Sequence, residues 1–231
     1  TGGRLPLILV PTTAGTGSEV TPVAVITTGA TTKAGVSSAV LLPDIAILDA
    51  DLTLGLPPAV TAMTGVDAMV HAIEAYTSRH KKNPVSDNLA RQALVLLGGN
   101  IRTAVHNGAD RNARANMLLG ATLAGQAFAN APVAAVHALA YPLGGLAELI
   151  TGAPVAGSAE AKTAAMVAAL RQLITDVQLP ATLEQAKVKE SDLEMLAEDA
   201  MLQQRLLVNN PREVAFDDAL AIYRAAYRGV A

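Results

Sequence analysis

Apolar residues keep a helical period from about Pro57 to the end of the chain, while strand-like runs are confined to the first fifty residues. That division constrains the fold more than any other feature. Leu5–Val10 is a short apolar run ended by Pro11, Val23–Thr28 is β-branched, and Ile45–Leu48 is closed by Asp49. Glycines and threonines between these runs mark loops. Beyond Pro57 the spacing predicts helices over Thr64–Tyr76, Pro84–Val105, Asp110–Asn130, Ala134–Tyr141, Ala159–Val177, Glu190–Leu207 and Val214–Tyr227. Pro142 with the Gly144-Gly145 pair, Pro180 and Pro211 separate the later ones. A few strands cannot bury both faces alone. They are therefore expected to belong to a larger sheet whose remainder lies outside this sequence, and the fold class expected is mainly α.

The 231 residues are 51% hydrophobic and 16% charged, which describes a globular chain with a sizeable core. Aromatics are only 3% and the apolar share falls on Ala, Val and Leu, which suits closely packed helices. There is no cysteine, so disulfides and thiolate metal sites are excluded and any metal must use His, Asp or Glu. A net charge of −3 with interspersed signs offers no basic face to nucleic acid. Leu5–Val10 is too short to span a bilayer and lacks the basic flank of a signal peptide, so a cytoplasmic protein without a membrane partner is expected. The chain opens on Thr1 rather than Met, as expected of a processed or incomplete start.

Asp67 and His71 stand four apart in GVDAMVHAIEAY. On a helix they share a face, with Cβ atoms roughly 5–6 Å apart, and a carboxylate and an imidazole so placed can hold one divalent ion. Glu74 follows one turn later on nearly the same face. The same spacing also suits an ordinary solvent-facing Asp–His pair. His137 lies in the apolar stretch AAVHALAYPLGG, where a histidine is more often a core residue than a ligand. His80 sits in a basic surface patch, and His106 closes a helix whose dipole favours a cation. The loop PTTAGTGSEVT, Pro11–Thr21, combines hydroxyls with two glycines, so its backbone and side chains can approach a phosphate or ribose. A tight polar loop would have the same composition.

Together these pieces resemble the iron-containing (group III) alcohol dehydrogenases of the dehydroquinate-synthase-like fold. The matching stretches are PTTAGTGSEVTP (Pro11–Pro22), LLPDIAILDADLT (Leu41–Thr53), TGVDAMVHAIEAY (Thr64–Tyr76), AGQAFANA (Ala124–Ala131), VHALAYPLGG (Val136–Gly145) and NNPRE (Asn209–Glu213). They span the chain and keep the family's order. The resemblance implies a helical metal-binding C-terminal domain over residues 53–231. Residues 1–52 would then be residual β-strands and the cofactor-edge loop of an N-terminal α/β domain.

By the same resemblance Asp67, His71 and His137 look like three metal ligands, and Thr12, Thr13 and Thr16 look like residues lining a nicotinamide dinucleotide. Lys33 resembles a cofactor-contacting lysine. Tyr141 stands four after the third ligand, where many relatives have a histidine near the nicotinamide, so a proton-relay imidazole is not available at that place. The implied cofactors are Fe2+, or Zn2+ or another divalent metal, with NAD or NADP. The implied partners are a small alcohol or aldehyde and further copies of the chain, in a homodimer or larger homo-oligomer.

Two features depart from the family pattern. No Gly-Gly-Gly-Ser phosphate loop occurs, as if a dinucleotide domain of on the order of 100–150 residues were missing. After Gly145 the chain runs into LAELITGAPVAG, which resembles sequence found well downstream in the family. The segment with PHG and the fourth ligand is absent, and no histidine follows His137. Because every flanking motif stays in register, the expectation is a longer protein with segments left out, interrupted between Gly145 and Leu146, rather than a decayed relic. The implied activity is hydride transfer between an alcohol and the dinucleotide. A maleylacetate-reductase-type enzyme and a non-catalytic helical assembly module are the alternatives; the Asp–His pair, usually incomplete in the former branch, speaks against it.

Overall fold

The computed structural model describes residues 3–28, 33–131, 146–203, 207–210 and 212–229, without the side chains of residues 33, 34 and 147. Among the described residues four short strands precede the α-helices: β1 (Ile8–Leu9), β2 (Val23–Thr27), β3 (Lys33–Ser37) and β4 (Ile45–Ala46). β1 pairs parallel with β4, Ile8 opposite Ile45, and β2 pairs antiparallel with β3 from Val23–Ser37 to Thr27–Lys33. Arg4 ties the first pair together: its guanidinium donates to Asp44 at 2.5 Å and to the Leu42 carbonyl. Both ribbons are two strands wide. Such ribbons cannot cover their own apolar side chains, and Ile8, Val25, Ile26, Ile45 and Ile47 stand exposed.

The helical body begins with α1 (Pro58–Thr77), α2 (Pro84–His106) and α3 (Arg111–Asn130). Pro58 opens α1 at a position whose N–H would have no helical partner, so the ring costs nothing there. Asn83 and Ser86 form a reciprocal capping box on α2, and Asp110 accepts from the Ala113 N–H at the start of α3. These three helices pack closely because small residues line their contacts. Ala62, Ala68 and Ala72 of α1 meet Leu94, Leu97 and Ile101 of α2 and Met117, Leu118 and Ala121 of α3, all buried. At Gly65 a Cβ would stand 2.7 Å from the Met117 methyl, and at Gly120 it would stand 2.9 Å from Leu97. Arg114 is buried beneath the start of α1, donating to the Thr61 hydroxyl and to the carbonyls of Leu56 and Gly108.

Among the described residues two more helices, α4 (Ala147–Thr151) and α5 (Ala159–Asp176), add to this core through Leu146, Met166 and Leu173. The chain ends in a separate small cluster. There α6 (Leu193–Met201) and α7 (Phe216–Arg228) bury Leu193, Ala197, Ala219 and Leu220 against Tyr223 and Tyr227. The architecture is mainly α, as expected. The helix predicted over Glu190–Leu207 ends at Met201 and begins as a 3-10 turn at Glu190–Asp192. The helix predicted over Ala134–Tyr141 and the junction at Gly145 lie outside the described residues. No helix among the described residues is long and apolar enough to cross a membrane.

Candidate metal and dinucleotide site

Asp67 and His71 occupy consecutive turns of α1, on the side turned away from the alanines that pack against α2 and α3. The His71 Nε2 lies 3.8 Å from the Asp67 Oδ1. That is too long for a hydrogen bond. Two donors that each sit roughly 2.0–2.2 Å from a shared ion can be up to about 4.4 Å apart, so the pair can take one cation between them. The imidazole stacks on Phe128 near the end of α3, with ring centroids 5.4 Å apart and planes inclined by 15°. Its Nδ1 is buried and has no hydrogen-bond partner among the described residues. The ring N–H facing away from a metal commonly donates to a carbonyl or carboxylate; among the described residues, the ring's observed contact is its stack on Phe128.

Glu74, one turn beyond His71, is buried. Burial pushes its carboxyl pKa up to about 8, and the charge of Asp67 adds to the shift. At neutral pH Glu74 is therefore mostly protonated and does not act as an anionic donor beside the pair.

The Pro11–Thr21 loop is held to both neighbouring helices by glycines. A Cβ on Gly15 would meet the Thr64 side chain at 2.7 Å, one turn before Asp67 on α1. A Cβ on Gly17 would meet the Gly125 Cα of α3 at 2.5 Å, and Gly17 adopts a left-handed φ of 60°. The next turn buries the Glu19 side chain, whose Oε1 accepts from the Thr122 hydroxyl at 2.7 Å. The Thr16 hydroxyl donates to Ser18 Oγ and accepts from the Ser18 N–H.

An open cavity of about 660 Å³ lies between this loop, the first strands and α1. Thr16, Ser18, Asp67, His71 and Phe128 line it together with apolar strand residues such as Leu9 and Val23. The structure thus brings Thr16 to the same space as the Asp67–His71 pair. Thr12, exposed, and Thr13, half-buried, are not part of the lining. Lys33 opens β3 opposite Thr27, two residues along β2 from the cavity-lining Val25, and its side chain is not described. His137 and Tyr141 lie outside the described residues, and among those described no group of three possible metal donors occurs. Sequence reasoning missed Phe128, Ser18 and the Glu19–Thr122 bond. Phe128 carried one signal, being one of only two phenylalanines in the chain.

The model for the C-terminal part of the Fe-containing alcohol dehydrogenase family matches residues 61–157 and 146–227, and the model for iron-containing alcohol dehydrogenases matches residues 1–50. Long-chain-alcohol dehydrogenase 1 of Geobacillus thermodenitrificans is 42% identical over 256 residues, covering 97% of this chain and 64% of the relative. The chain therefore spans less than two thirds of that relative. The 256 aligned positions also exceed the 231 residues of this chain, so the relative carries internal residues that have no counterpart here. The two C-terminal matches overlap at residues 146–157.

The crystal structure of 1,3-propanediol oxidoreductase superposes with a TM-score of 0.90 at 35% identity, over 98% of this chain and 67% of that one. Sulfoacetaldehyde reductase from Bifidobacterium kashiwanohense, solved in complex with NAD+, gives a TM-score of 0.79 at 29% identity, over 98% and 66%. By its motifs, by the family models and by these likenesses, this chain belongs to the iron-containing alcohol dehydrogenase family.

Proposed function

We propose that this chain is the metal- and substrate-binding part of an alcohol dehydrogenase that moves a hydride between a small alcohol or aldehyde and a nicotinamide dinucleotide. The observation that carries the reading is the meeting of the Asp67–His71 pair and the Thr16 loop on one cavity. A divalent cation, iron by family and zinc equally acceptable to these donors, supplies Lewis acidity toward the alcohol oxygen. The nicotinamide ring supplies the hydride acceptor, and the NAD+ held by the sulfoacetaldehyde reductase supports NAD or NADP here.

The chain's own residues do the rest. Asp67 contributes a negative oxygen donor, and His71 a neutral nitrogen donor whose ring plane Phe128 sets. His137 is the proposed third donor, and Tyr141, four positions later in the sequence, fills the place that many relatives give to a histidine near the nicotinamide. Thr16 and Ser18 offer hydroxyls to the dinucleotide, and Thr12, Thr13 and Lys33 belong to the same edge of the site in this reading. Leu7, Leu9, Val23 and Phe128 give the cavity apolar walls that keep water from the reacting carbon. Residues 1–52 are read as the edge of an α/β domain and 53–231 as the helical domain, which agrees with the exposed apolar faces of the two ribbons. A homo-oligomer in the cytoplasm completes the proposal.

The test uses the full-length protein that contains this chain, stripped of metal and reloaded with Fe2+ or Zn2+. Alcohol-dependent, chelator-sensitive reduction of NAD or NADP is the expected result. Turnover of maleylacetate without metal would replace the reading with a maleylacetate reductase, and failure to bind either metal or dinucleotide would leave a helical assembly module.

A further inference from the structure

Glu19 has a role that hydride transfer does not use directly. It sits in the short turn after Thr16, only 4% exposed as a residue, and it meets α3 103 residues further along the chain. A carboxyl group is costly to bury unless something bonds it. Here the Thr122 hydroxyl donates to Oε1 at 2.7 Å, and that hydroxyl has the Leu118 carbonyl as a second partner at 3.1 Å. One turn along α3, Gly125 and Gly17 approach backbone to backbone, so neither position has room for a side chain. A further turn along, Phe128 stacks on His71. Residues 122, 125 and 128 of α3 thus hold the loop at two points and the histidine at a third.

We propose that Glu19 is a positioning residue: its buried bond to Thr122 latches the Pro11–Thr21 loop onto α3 and thereby fixes the Thr16 and Ser18 hydroxyls at a set distance from the Asp67–His71 pair. The inference rests on reading this loop as the dinucleotide edge of the site. It assigns the loop's geometry to one polar latch across the glycine contact, with the metal pair independent of it. Loss of the latch should therefore weaken dinucleotide binding and leave metal binding alone.

The experiment compares Glu19→Ala, Thr122→Val, the double variant and Glu19→Gln in the full-length, metal-loaded protein. The Michaelis constant for the dinucleotide, the metal affinity by titration and hydrogen exchange of the loop amides are measured on each. Glu19→Ala and Thr122→Val should each raise the dinucleotide constant about tenfold and speed exchange at residues 15–21, with metal affinity unchanged. The double variant should be no worse than either single one. Glu19→Gln keeps an acceptor oxygen for Thr122 and should behave nearly as the parent. Additive effects in the double variant, or a fall in metal affinity and melting temperature with the dinucleotide constant unmoved, would overturn the latch. If the parent protein reduces no dinucleotide, the proposed activity falls, while exchange in the four variants still decides whether the latch orders the loop.

Discussion

The rings of His71 and Phe128 lie nearly parallel with centroids 5.4 Å apart, joining α1 to α3 where the Asp67–His71 pair faces the cavity. An aromatic pair of this kind contributes about 0.5–1.5 kcal/mol beyond its buried area. Phe128→Leu keeps an apolar side chain but removes the stack, so His71 becomes free to turn. Metal affinity should fall by up to about tenfold, at 1.4 kcal/mol per factor of ten, while Phe128→Tyr retains it. Equal metal affinities in Phe128→Leu and the parent protein would show that the stack does not orient the ligand.

Thr16→Val removes a cavity-lining hydroxyl without changing the side chain's shape. The Michaelis constant for the dinucleotide should rise several-fold and that for the alcohol should stay. Thr13→Val, outside the lining, should have the smaller effect of the two. A larger change for the alcohol than for the dinucleotide in Thr16→Val would move the loop to the substrate side.

Gly125→Ala would put a Cβ 2.7 Å from the Gly17 Cα and carbonyl oxygen, both backbone atoms that cannot swing aside. Overpacking of this kind costs about 1–3 kcal/mol. The chain can relieve it by lifting the loop from α3, so a higher dinucleotide constant should accompany the lower melting temperature. Thermal melts and steady-state kinetics on the same preparation check both.

Glu74 makes a prediction about pH. Its unfolded carboxyl titrates near 4.5 and its folded one at about 8, raised by burial and then by Asp67. Between those values the folded chain holds more protons than the unfolded chain, so this contribution to stability falls as the pH rises. It is whole below pH 4.5 and gone above 8. In metal-stripped protein, Glu74→Gln should flatten the decline in denaturant midpoint across that window, and Asp67→Asn, which removes the smaller of the two causes, should move the upper end of the window slightly to lower pH. An unchanged slope in Glu74→Gln would mean that the carboxyl is ionised in the folded chain.

Much of the scaffold was legible because helical periodicity is local. Pro84, Asp110 and Ser158 mark starts that the structure keeps within a residue. β3 was not legible, since Lys33–Ser37 is KAGVS, poor in strand-forming residues, and its pairing with β2 is a tertiary feature. The helix predicted over Glu190–Leu207 is interrupted after Met201, at Leu202 and Gln203, and residues 204–206 lie outside the described ones. At the site, the Asp67–His71 pairing follows from spacing alone. Phe128 on His71 and Thr122 on Glu19 do not, because they join residues 57 and 103 positions apart, and only tertiary packing brings them together. Thr16 lines the cavity beside Asp67 and His71, in a loop seated by glycine contacts whose tightness no sequence pattern states.

The central claim is that Asp67 and His71 together hold a divalent cation, and metal titration of the stripped full-length protein tests it most directly. The parent protein should bind about one Fe2+ or Zn2+ per chain. His71→Ala and Asp67→Ala should each lose tight binding and alcohol oxidation while keeping their circular dichroism; the half-exposed Asp67 should leave the melting temperature unchanged, and loss of the Phe128 stack should lower it only modestly in His71→Ala. Undiminished stoichiometry and affinity in either variant would contradict the account.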